Sequence, residues 1–253
     1  YYLGGKDWFE ADRQTAEAAL HHFPALRTVA RSNRAFMHRA TRTLAGERGV
    51  RQFLDLGSGI PTEPNLHQVA QAEDPEARVV YVDNDPIVIE YTDALMRSTE
   101  EGRTAYMEAD LRTDDVTRDP RLREVLDFDA PVALSLVALV HFFPDDLRPY
   151  DLVRRLLEPL PSGSFLVLSH VTYEIGTEEE TREAEEEARR GETLYRNSGT
   201  DVRTRSRAEI ARFFDGLELL DPGLVIAHRW RPDAPVELTD AEVGLYAGVA
   251  RKP

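Results

Sequence analysis

Hydrophobic residues in the middle of the chain form short continuous runs, separated by longer helical or polar stretches. The runs lie at 51–56, 79–82, 105–107, 132–140 and 165–168. Strands of a parallel sheet are buried on both faces and therefore carry continuous apolar runs. Strands that alternate with helical segments are typical of βαβ units. The pattern predicts a doubly wound α/β fold with a mostly parallel sheet.

The two ends of the chain show different patterns. Segments 10–22 and 25–45 carry apolar residues at helical spacing, which predicts an N-terminal helical layer covering residues 1–49. Runs at 217–227 and 244–250 flank a turn-rich connection and favour a hairpin-like antiparallel ending at the sheet edge. We expect a single domain over the whole chain, with seven strands in residues 50–253 and an antiparallel last strand.

One polar segment in this core is densely charged. Residues 177–190 carry a capping-box signature at Thr177 and Glu180, and acidic residues stand four positions before basic ones. We expect a solvated helix within a charged insertion near 174–207. The alternative is a moving lid or a partner-binding surface.

Composition places the chain among ordinary globular proteins, and its net charge argues against some classes of binding partner. Hydrophobic residues make up 42% and charged residues 30%, and no stretch approaches the roughly 18 consecutive apolar residues of a membrane span. Residues 1–10 do not show a basic start followed by an apolar run, and we expect an unexported protein. The absence of cysteine excludes disulfides, and the cytoplasm is the expected location. A net charge of −15 repels a phosphate backbone, so we expect neither a nucleic-acid nor a membrane partner.

The stretch that carries chemistry is a strand running directly into a glycine turn. Apolar residues 53–56 lead into Gly57, Ser58 and Gly59, and a predicted helix follows. Nucleotide sites combine such a turn, where backbone approaches the ligand closely, with an acid about 20 residues further on. Asp83 ends the next apolar run, 24 residues after Gly59. The spacing predicts a nucleotide site with Asp83 on the ribose, although a glycine turn alone also has a purely structural explanation.

Two features argue against a dinucleotide ligand. Thr62 stands where the third glycine of the dinucleotide motif belongs, and Asp55 precedes the first glycine by two residues. A carboxylate there discourages a pyrophosphate but can orient an ammonium group. The structural alternatives are that Asp55 pairs with an arginine of the N-terminal helices, that Asp83 and Asp110 cap helices, and that Thr62 caps the helix predicted around 65–72.

Several segments together resemble known enzymes. Three of them resemble the first three motifs of class I S-adenosylmethionine-dependent methyltransferases: Asp55-Leu-Gly57-Ser-Gly59, Tyr81-Val-Asp83 and Glu108-Ala-Asp110-Leu111. Others resemble a methyltransferase-like family long described as a domain of unknown function, among them Tyr2-Leu-Gly-Gly-Lys-Asp7, Ser32-Asn-Arg-Ala35 and Leu139-Val-His-Phe-Phe-Pro-Asp145. The resemblance implies a Rossmann-like fold and S-adenosylmethionine as the cofactor.

The resemblance also implies which residues would hold the methionine part of the cofactor. In that class the glycine turn approaches this part, and here the turn is Gly57, Ser58 and Gly59. The end of the fourth strand would offer the backbone carbonyls of Leu136 and Val137 to the ammonium group. These roles are expectations, transferred from the motifs of the methyltransferase class to the matching positions of this sequence.

The adenosine part would lie further along the same edge. In the class, the acid that ends the second strand binds both ribose hydroxyls, which implies Asp83. Asn84 would lie against the adenine. The Asp110 carboxylate and the backbone N–H of Leu111 would read the base.

Two histidines are candidates for a general base. His141 follows the fourth predicted strand and His170 the fifth, at the carboxyl edge where ligands bind in open α/β sheets. An imidazole suits a hydroxyl acceptor, although transfer from a sulfonium does not require a base. Each has the alternative of a hydrogen-bonded structural role. His141 with Asp145 and Asp146 would suit magnesium, but the acids follow a proline as in a helix start, and we expect no metal site.

Two further groups of residues have both a chemical and a structural explanation. Aromatic residues could line an acceptor pocket or simply pack in the core. These are Tyr1, Tyr2, Trp8 and Tyr173. A basic run could receive an acidic acceptor, but we expect it to be exposed charge. This run is Arg203, Arg205 and Arg207.

The leading hypothesis is an S-adenosylmethionine-dependent methyltransferase acting on a small molecule. A second hypothesis is a catalytically silent protein that binds S-adenosylmethionine or S-adenosylhomocysteine. An NAD-dependent oxidoreductase is the third, and Thr62 and Asp55 argue against it. The motifs do not identify the methyl acceptor.

Overall fold

An eight-stranded sheet forms the centre of the part of the chain that the structure, a computed structural model, describes: residues 2–3, 13–14, 16–17, 20, 24–86, 88, 98–197 and 200–253. The strands are β1 (Gln52–Leu56), β2 (Arg78–Asp83), β3 (Arg103–Glu108), β4 (Ala133–Val137), β5 (Phe165–Val171), β6 (Glu218–Leu219), β7 (Val225–Ile226) and β8 (Leu245–Arg251). The order is β3-β2-β1-β4-β5-β8-β6, and β7 also pairs with β8. Strands β1 to β5 are parallel, whereas β8 is antiparallel to β5, β6 and β7.

Both faces of the sheet are buried. Leu54 of β1 aligns with Val80 and Leu134 in a cluster on one face. The preceding residue, Phe53, belongs to a second cluster on the other face, together with Val79. Successive side chains of a strand point to opposite faces, so a strand covered on both sides is apolar at every position. This explains the continuous runs and confirms the predicted doubly wound α/β fold.

Helices cover the sheet on both sides. They are α1 (Leu26–Arg42), α2 (Leu66–Glu73), α3 (Pro149–Leu157), α4 (Glu178–Asn197), α5 (Arg207–Ala211) and α6 (Asp240–Val243). The α1 helix packs through Phe36, which meets Trp230 edge to face at 5.4 Å between ring centroids. It continues through a single π turn, Thr43–Glu47. Most of the predicted helix 10–22 lies outside the described residues.

The chain order changes direction between β1 and β4. From β1 the chain moves outward to β2 and β3, and it then returns to add β4 and β5 on the other side of β1. Ligands of doubly wound folds bind beyond the carboxyl ends of the strands at this switch point. The glycine turn follows β1 and therefore lies there.

Three local features of the structure differ from what the sequence pattern indicates. The run 132–140 ends as a strand at Val137 because Ala138 has a φ of 54°, a left-handed conformation incompatible with a strand. The run 217–227 is split into β6 and β7 by a turn in which the N–H of Gly223 donates to the Leu220 carbonyl at 2.7 Å. Within the described residues the sheet therefore has eight strands, one more than the expected seven. The cap of α2 is Asn65, which forms a capping box with Gln68, and not Thr62.

A search of the described residues finds no helix with the length and apolar character needed to span a membrane.

Candidate active site

A cavity of about 670 Å³ opens at the carboxyl ends of β1, β4 and β5. This volume is typical of small-molecule sites. The glycine turn forms one wall through Gly57 and Ser58, beside Asp55. Val137 and His141 line it from the end of β4 and the turn that follows. Helices α1 and α4 supply two further walls, so the cavity lies between the switch point and these helices.

The glycine turn is shaped by two residues in the left-handed region, Gly57 with φ of 69° and Gly59 with φ of 64°. The N–H groups of Gly57 and Ser58 both point at the Val82 carbonyl, at 2.8 and 3.4 Å. A Cβ at Gly57 would lie 2.5 Å from Cδ1 of Leu139, whereas the space beside Gly59 is open. The turn is thus packed on one side and accessible on the other. Ser58 Oγ is buried and has no hydrogen-bond partner among the described residues.

Asp83 at the end of β2 holds the turn in place. Its Oδ2 accepts a hydrogen bond of 2.8 Å from the Gly59 N–H, and its Oδ1 accepts one of 3.1 Å from the N–H of Asp85. Asp83 and Asn84 lie outside the cavity lining, on the side of the turn toward β2. The predicted spacing therefore does bring Asp83 to the glycine turn.

Asp55 and Arg34 both line the cavity and interact electrostatically. Burial raises the pKa of the Asp55 carboxyl from its ordinary 3.8 to about 6, and the Ser135 hydroxyl and the Arg34 guanidinium act against this rise. Arg34 uses its own Nη2 to donate to the carbonyls of Thr62 and Pro64. Arg34, on the N-terminal helix, is thus a charged neighbour of Asp55. The hydrogen bonds that Arg34 donates go to the segment after the glycine turn.

The predicted adenine-side residues lie at the end of β3, away from the cavity lining. Hydrogen bonds from Arg112 lower the pKa of Asp110, and the Nη2 of that arginine lies 2.6 Å from the carboxylate. Asn84 adds a further hydrogen bond to Asp110. Leu111 is buried in the core. On β4, Leu136 is buried and Val137 reaches the cavity.

His141 lines the cavity and is only 6% exposed. Its Nδ1 has no hydrogen-bond partner in the part of the chain described by the structure. Burial, with a smaller contribution from the charge of Arg205, lowers the pKa of His141 from 6.5 to about 4. The imidazole is therefore neutral near pH 7 and can accept a hydrogen bond.

His170 is fully buried beside His141, with ring centroids 5.7 Å apart, and it does not line the cavity. Its Nδ1 lies 2.7 Å from the Val171 carbonyl and its Nε2 lies 2.9 Å from Nη1 of Arg205. Since an arginine only donates, Nε2 accepts and the ring proton is on Nδ1. Burial is the main cause that lowers the pKa of His170. Both ring nitrogens are engaged within the fold.

Arg205 was expected to be exposed, and this prediction was wrong. Its side chain is 0% exposed and its Nη2 donates to the Phe143 carbonyl at 3.0 Å and to Asp145 Oδ1 at 2.7 Å. A buried guanidinium requires such partners because its desolvation is costly. Asp145, a candidate magnesium ligand from the sequence, is thus an ion-pair partner of Arg205. The short helical turn Asp145–Leu147 begins there.

The charged helix α4 has a face toward the cavity. Its capping box forms as predicted, with the Thr177 N–H donating to Glu180 at 2.7 Å. The lining residues recur at helical spacing. They are Ala184, Glu187, Ala188, Gly191, Glu192 and Tyr195. The alanines and the glycine interrupt the charged pattern of the sequence, and this interruption was the feature from which a cavity-facing side of α4 could have been predicted.

Of the predicted aromatic residues, Tyr2 and Tyr173 also line the cavity, while Tyr1 and Trp8 lie outside the described residues.

The sheet order, the antiparallel last strand and the glycine turn flanked by Asp55 and Asp83 define a class I S-adenosylmethionine-dependent methyltransferase. The site fits this cofactor on two observations. Ser58 Oγ is a buried polar atom without a partner among the described residues, and the space beside Gly59 is open to an approaching ligand.

Comparison with known proteins agrees with this assignment. The family model for S-adenosyl methyltransferases matches residues 1–253, and the chain belongs to this family. The structure is similar to a DUF574 family protein from Streptomyces avermitilis MA-4680, with a TM-score of 0.92 and 47% identity over 100% of this chain and 95% of the other. It is also similar to a candidate methyltransferase from Thermobifida fusca YX, with a TM-score of 0.86 and 39% identity over 99% of this chain and 91% of the other.

A more distant structure shares the fold alone. It is an S-adenosylmethionine-dependent methyltransferase from Anabaena variabilis ATCC 29413, 15% identical, with a TM-score of 0.50 over 80% of this chain and 77% of the other. No curated protein matches the chain. The predicted Rossmann-like fold, the methyltransferase class and the cofactor S-adenosylmethionine are confirmed.

Proposed function

We propose that this methyltransferase transfers the methyl group of S-adenosylmethionine to a small molecule bound in the cavity between α1 and α4. One observation supports this most directly: the cavity is continuous from the glycine turn, at Gly57 and Ser58, to the two helices. A nucleophile bound against the helices therefore has direct access to a methyl group presented at the turn. A site of this kind, with walls on several sides, suits a small molecule better than a macromolecular chain.

The cofactor's methionine part is assigned to the turn itself. Gly57 and Gly59 let the backbone approach, and the Ser58 hydroxyl has free hydrogen-bonding capacity toward it. The Asp55 carboxylate, together with the carbonyls of Leu136 and Val137, would receive the ammonium group. A bound cation stabilises the ionised form of Asp55 against its burial.

The adenosine part is assigned to the ends of β2 and β3. Asp83 would accept from the ribose hydroxyls while it keeps the Gly59 N–H in place. Asn84 would lie against the adenine, and Asp110 with the Leu111 N–H would read its edge. The hydrogen bonds from Arg112 keep Asp110 ionised and hence an acceptor.

The cofactor supplies an activated methyl group on a sulfonium, and the protein contributes position and the exclusion of water. Of the two candidate histidines, His141 lines the cavity and is assigned the contact with the acceptor. His170 is assigned to the positioning of its neighbours, because its nitrogens are occupied by Val171 and Arg205. The cysteine-free composition supports the cytoplasm as the proposed location.

Calorimetric titration of the protein with S-adenosylmethionine, S-adenosylhomocysteine and NAD tests the first half of the proposal. We expect saturable binding of the first two and none of NAD. Incubation with methyl-labelled S-adenosylmethionine and an ultrafiltered cell extract tests the second half. Label in a small molecule is the expected result. Binding without transfer would support the catalytically silent alternative, and preferential binding of NAD would overturn the site assignment.

A further inference from the structure

The half of the cavity away from the glycine turn is mainly apolar. Helix α1 lines it with Leu26, Val29 and Ala30, and the opposite wall is the small-residue face of α4 at Ala184 and Ala188. Phe142, Tyr173 and Tyr195 add aromatic surface. Walls of this composition bind an apolar body, and aromatic walls favour an aromatic one.

Two polar side chains of this half already form hydrogen bonds within the protein. Glu192 on α4 accepts from both the N–H and the hydroxyl of Thr204, each at 2.7 Å, and lies 3.6 Å from Arg203. Asn33 on α1 accepts from the Ser169 hydroxyl at 2.6 Å. The acceptor oxygens named here therefore already have donors within the protein.

His141 differs from these neighbours. It is nine-tenths buried and lines the cavity, and its Nδ1 has no hydrogen-bond partner within the described ranges. A buried polar group without a hydrogen-bond partner raises the free energy of the folded protein. A ligand that donates a hydrogen bond to the ring offsets this cost and therefore binds more tightly. Because the ring is neutral near pH 7, it accepts a hydrogen bond and does not attract an anion.

We propose that the methyl acceptor is a neutral, largely aromatic molecule of the phenol class, whose hydroxyl donates to His141 while its ring lies against Ala188 of α4. This inference rests on the proposed function. Charge argues in the same direction. The carboxylates of Asp55, Glu187 and Glu192 line the cavity together with the guanidinium of Arg34, whose Nη2 donates to backbone carbonyls. The negative charges of the lining outnumber this positive charge, which disfavours an anionic acceptor.

The transfer step balances with His141 as the proton acceptor. The hydroxyl oxygen forms a bond to the methyl carbon, the carbon–sulfur bond breaks, and its electron pair returns to sulfur to give the neutral thioether. The hydroxyl proton passes to the His141 ring and from there to water. The proton becomes far more acidic as the carbon–oxygen bond forms, so even a weakly basic imidazole suffices.

Equilibrium dialysis in saturating S-adenosylhomocysteine tests the inference without turnover. The probes are 2-naphthol, naphthalene, 2-naphthoate and protonated 2-naphthylmethylamine. We expect 2-naphthol to bind about tenfold more tightly than naphthalene. Both charged probes should bind more weakly than 2-naphthol: 2-naphthoate because the carboxylates of the lining repel it, and the ammonium probe because burial of a charge between apolar walls is costly. Absence of saturable 2-naphthol binding, or tighter binding of a charged probe, would overturn the inference. Failure of S-adenosylhomocysteine itself to bind would instead overturn the proposed function.

Variants locate the contact. His141→Leu should abolish the preference for 2-naphthol over naphthalene, and His141→Gln, whose amide oxygen can accept, should keep part of it. Ala188→Phe should weaken 2-naphthol binding about tenfold or more, while Glu186→Phe, on the exposed side of α4, should not. Thermal unfolding checks that each variant is folded. An undiminished hydroxyl preference in folded His141→Leu, or equal effects of the two phenylalanine variants, contradicts the inference.

Discussion

The backbone N–H of Gly59 donates a hydrogen bond of 2.8 Å to Oδ2 of Asp83, 24 residues further along the chain. This contact joins the turn after β1 to the end of β2. The same carboxylate is assigned to the ribose hydroxyls, so it both shapes the turn and receives the ligand. A carboxylate has enough acceptor sites for both tasks because each oxygen carries two lone pairs.

Asp83→Ala should weaken S-adenosylhomocysteine binding about 100-fold, because it removes a charge-assisted ligand contact and frees the turn. Asp83→Asn keeps an oxygen for Gly59 but loses the charge, and we expect about a tenfold loss. Calorimetric titration measures both. Asp129→Asn, exposed before β4 at the opposite edge of the sheet, is the matched control. Unchanged affinity in folded Asp83→Ala would contradict the assignment.

Gly57→Ala should destabilise the protein by about 2–4 kcal/mol, since alanine is strained at a φ of 69° and its Cβ would lie 2.5 Å from Leu139. Gly59→Ala has similar backbone strain but open space, so its cost should be only about 1 kcal/mol. Urea unfolding measures the difference.

The double variant Gly57→Ala with Leu139→Ala distinguishes the steric clash of the new Cβ with Leu139 from the backbone strain at residue 57. Removal of the leucine side chain relieves the collision but leaves the backbone strain. The two substitutions should therefore cost less together than the sum of their separate effects. Simple additivity would show that the contact with Leu139 does not constrain the turn.

Asp55→Asn should stabilise the ligand-free protein by up to about 3 kcal/mol at pH 7.5. Burial raises the folded-state pKa of Asp55 from 3.8 to about 6. The folded state therefore binds the proton of the Asp55 carboxyl more tightly than the unfolded state does. Ionisation of this carboxyl reduces the free energy of unfolding as pH rises from about 3.8 to about 6. Accordingly, the gain from Asn should be smaller at pH 5 than at pH 7.5, and cofactor binding should weaken. A gain in stability that does not depend on pH would contradict the role of ionisation.

The sequence predicts the parts of the site that depend on periodicity and spacing. Parallel strands end at one edge, so Asp83 could be placed at the glycine turn from chain order alone. The burial of Arg205 could not be predicted, because its three partners come from distant segments and a run of arginines resembles exposed charge. The left-handed Ala138, which turns the chain away after β4, has no signal in its residue type. For the side of α4 that lines the cavity, the sequence contains only one indication, the small residues Ala188 and Gly191 within a charged run.

Arg205→Met should destabilise the protein by about 2–4 kcal/mol, because it leaves the Phe143 carbonyl and Nε2 of His170 without their donor in a buried site. Arg203→Met is the matched control, since Arg203 is partly exposed and lies 3.7 Å from Asp145. Chemical unfolding of both variants compares the two arginines. Equal losses would mean that the buried contacts of Arg205 add nothing beyond surface charge.

The same variant changes a proton equilibrium in the cavity. Burial first, and the charge of Arg205 second, hold the folded-state pKa of His141 at about 4, below its ordinary 6.5. The folded state thus binds fewer protons than the unfolded state between these values, and stability falls as pH decreases from about 6.5 to about 4. Without the arginine charge, the pKa of His141 should rise and this fall should become shallower. NMR titration of labelled imidazoles measures the pKa directly. A value unchanged in folded Arg205→Met would show that burial alone keeps His141 neutral.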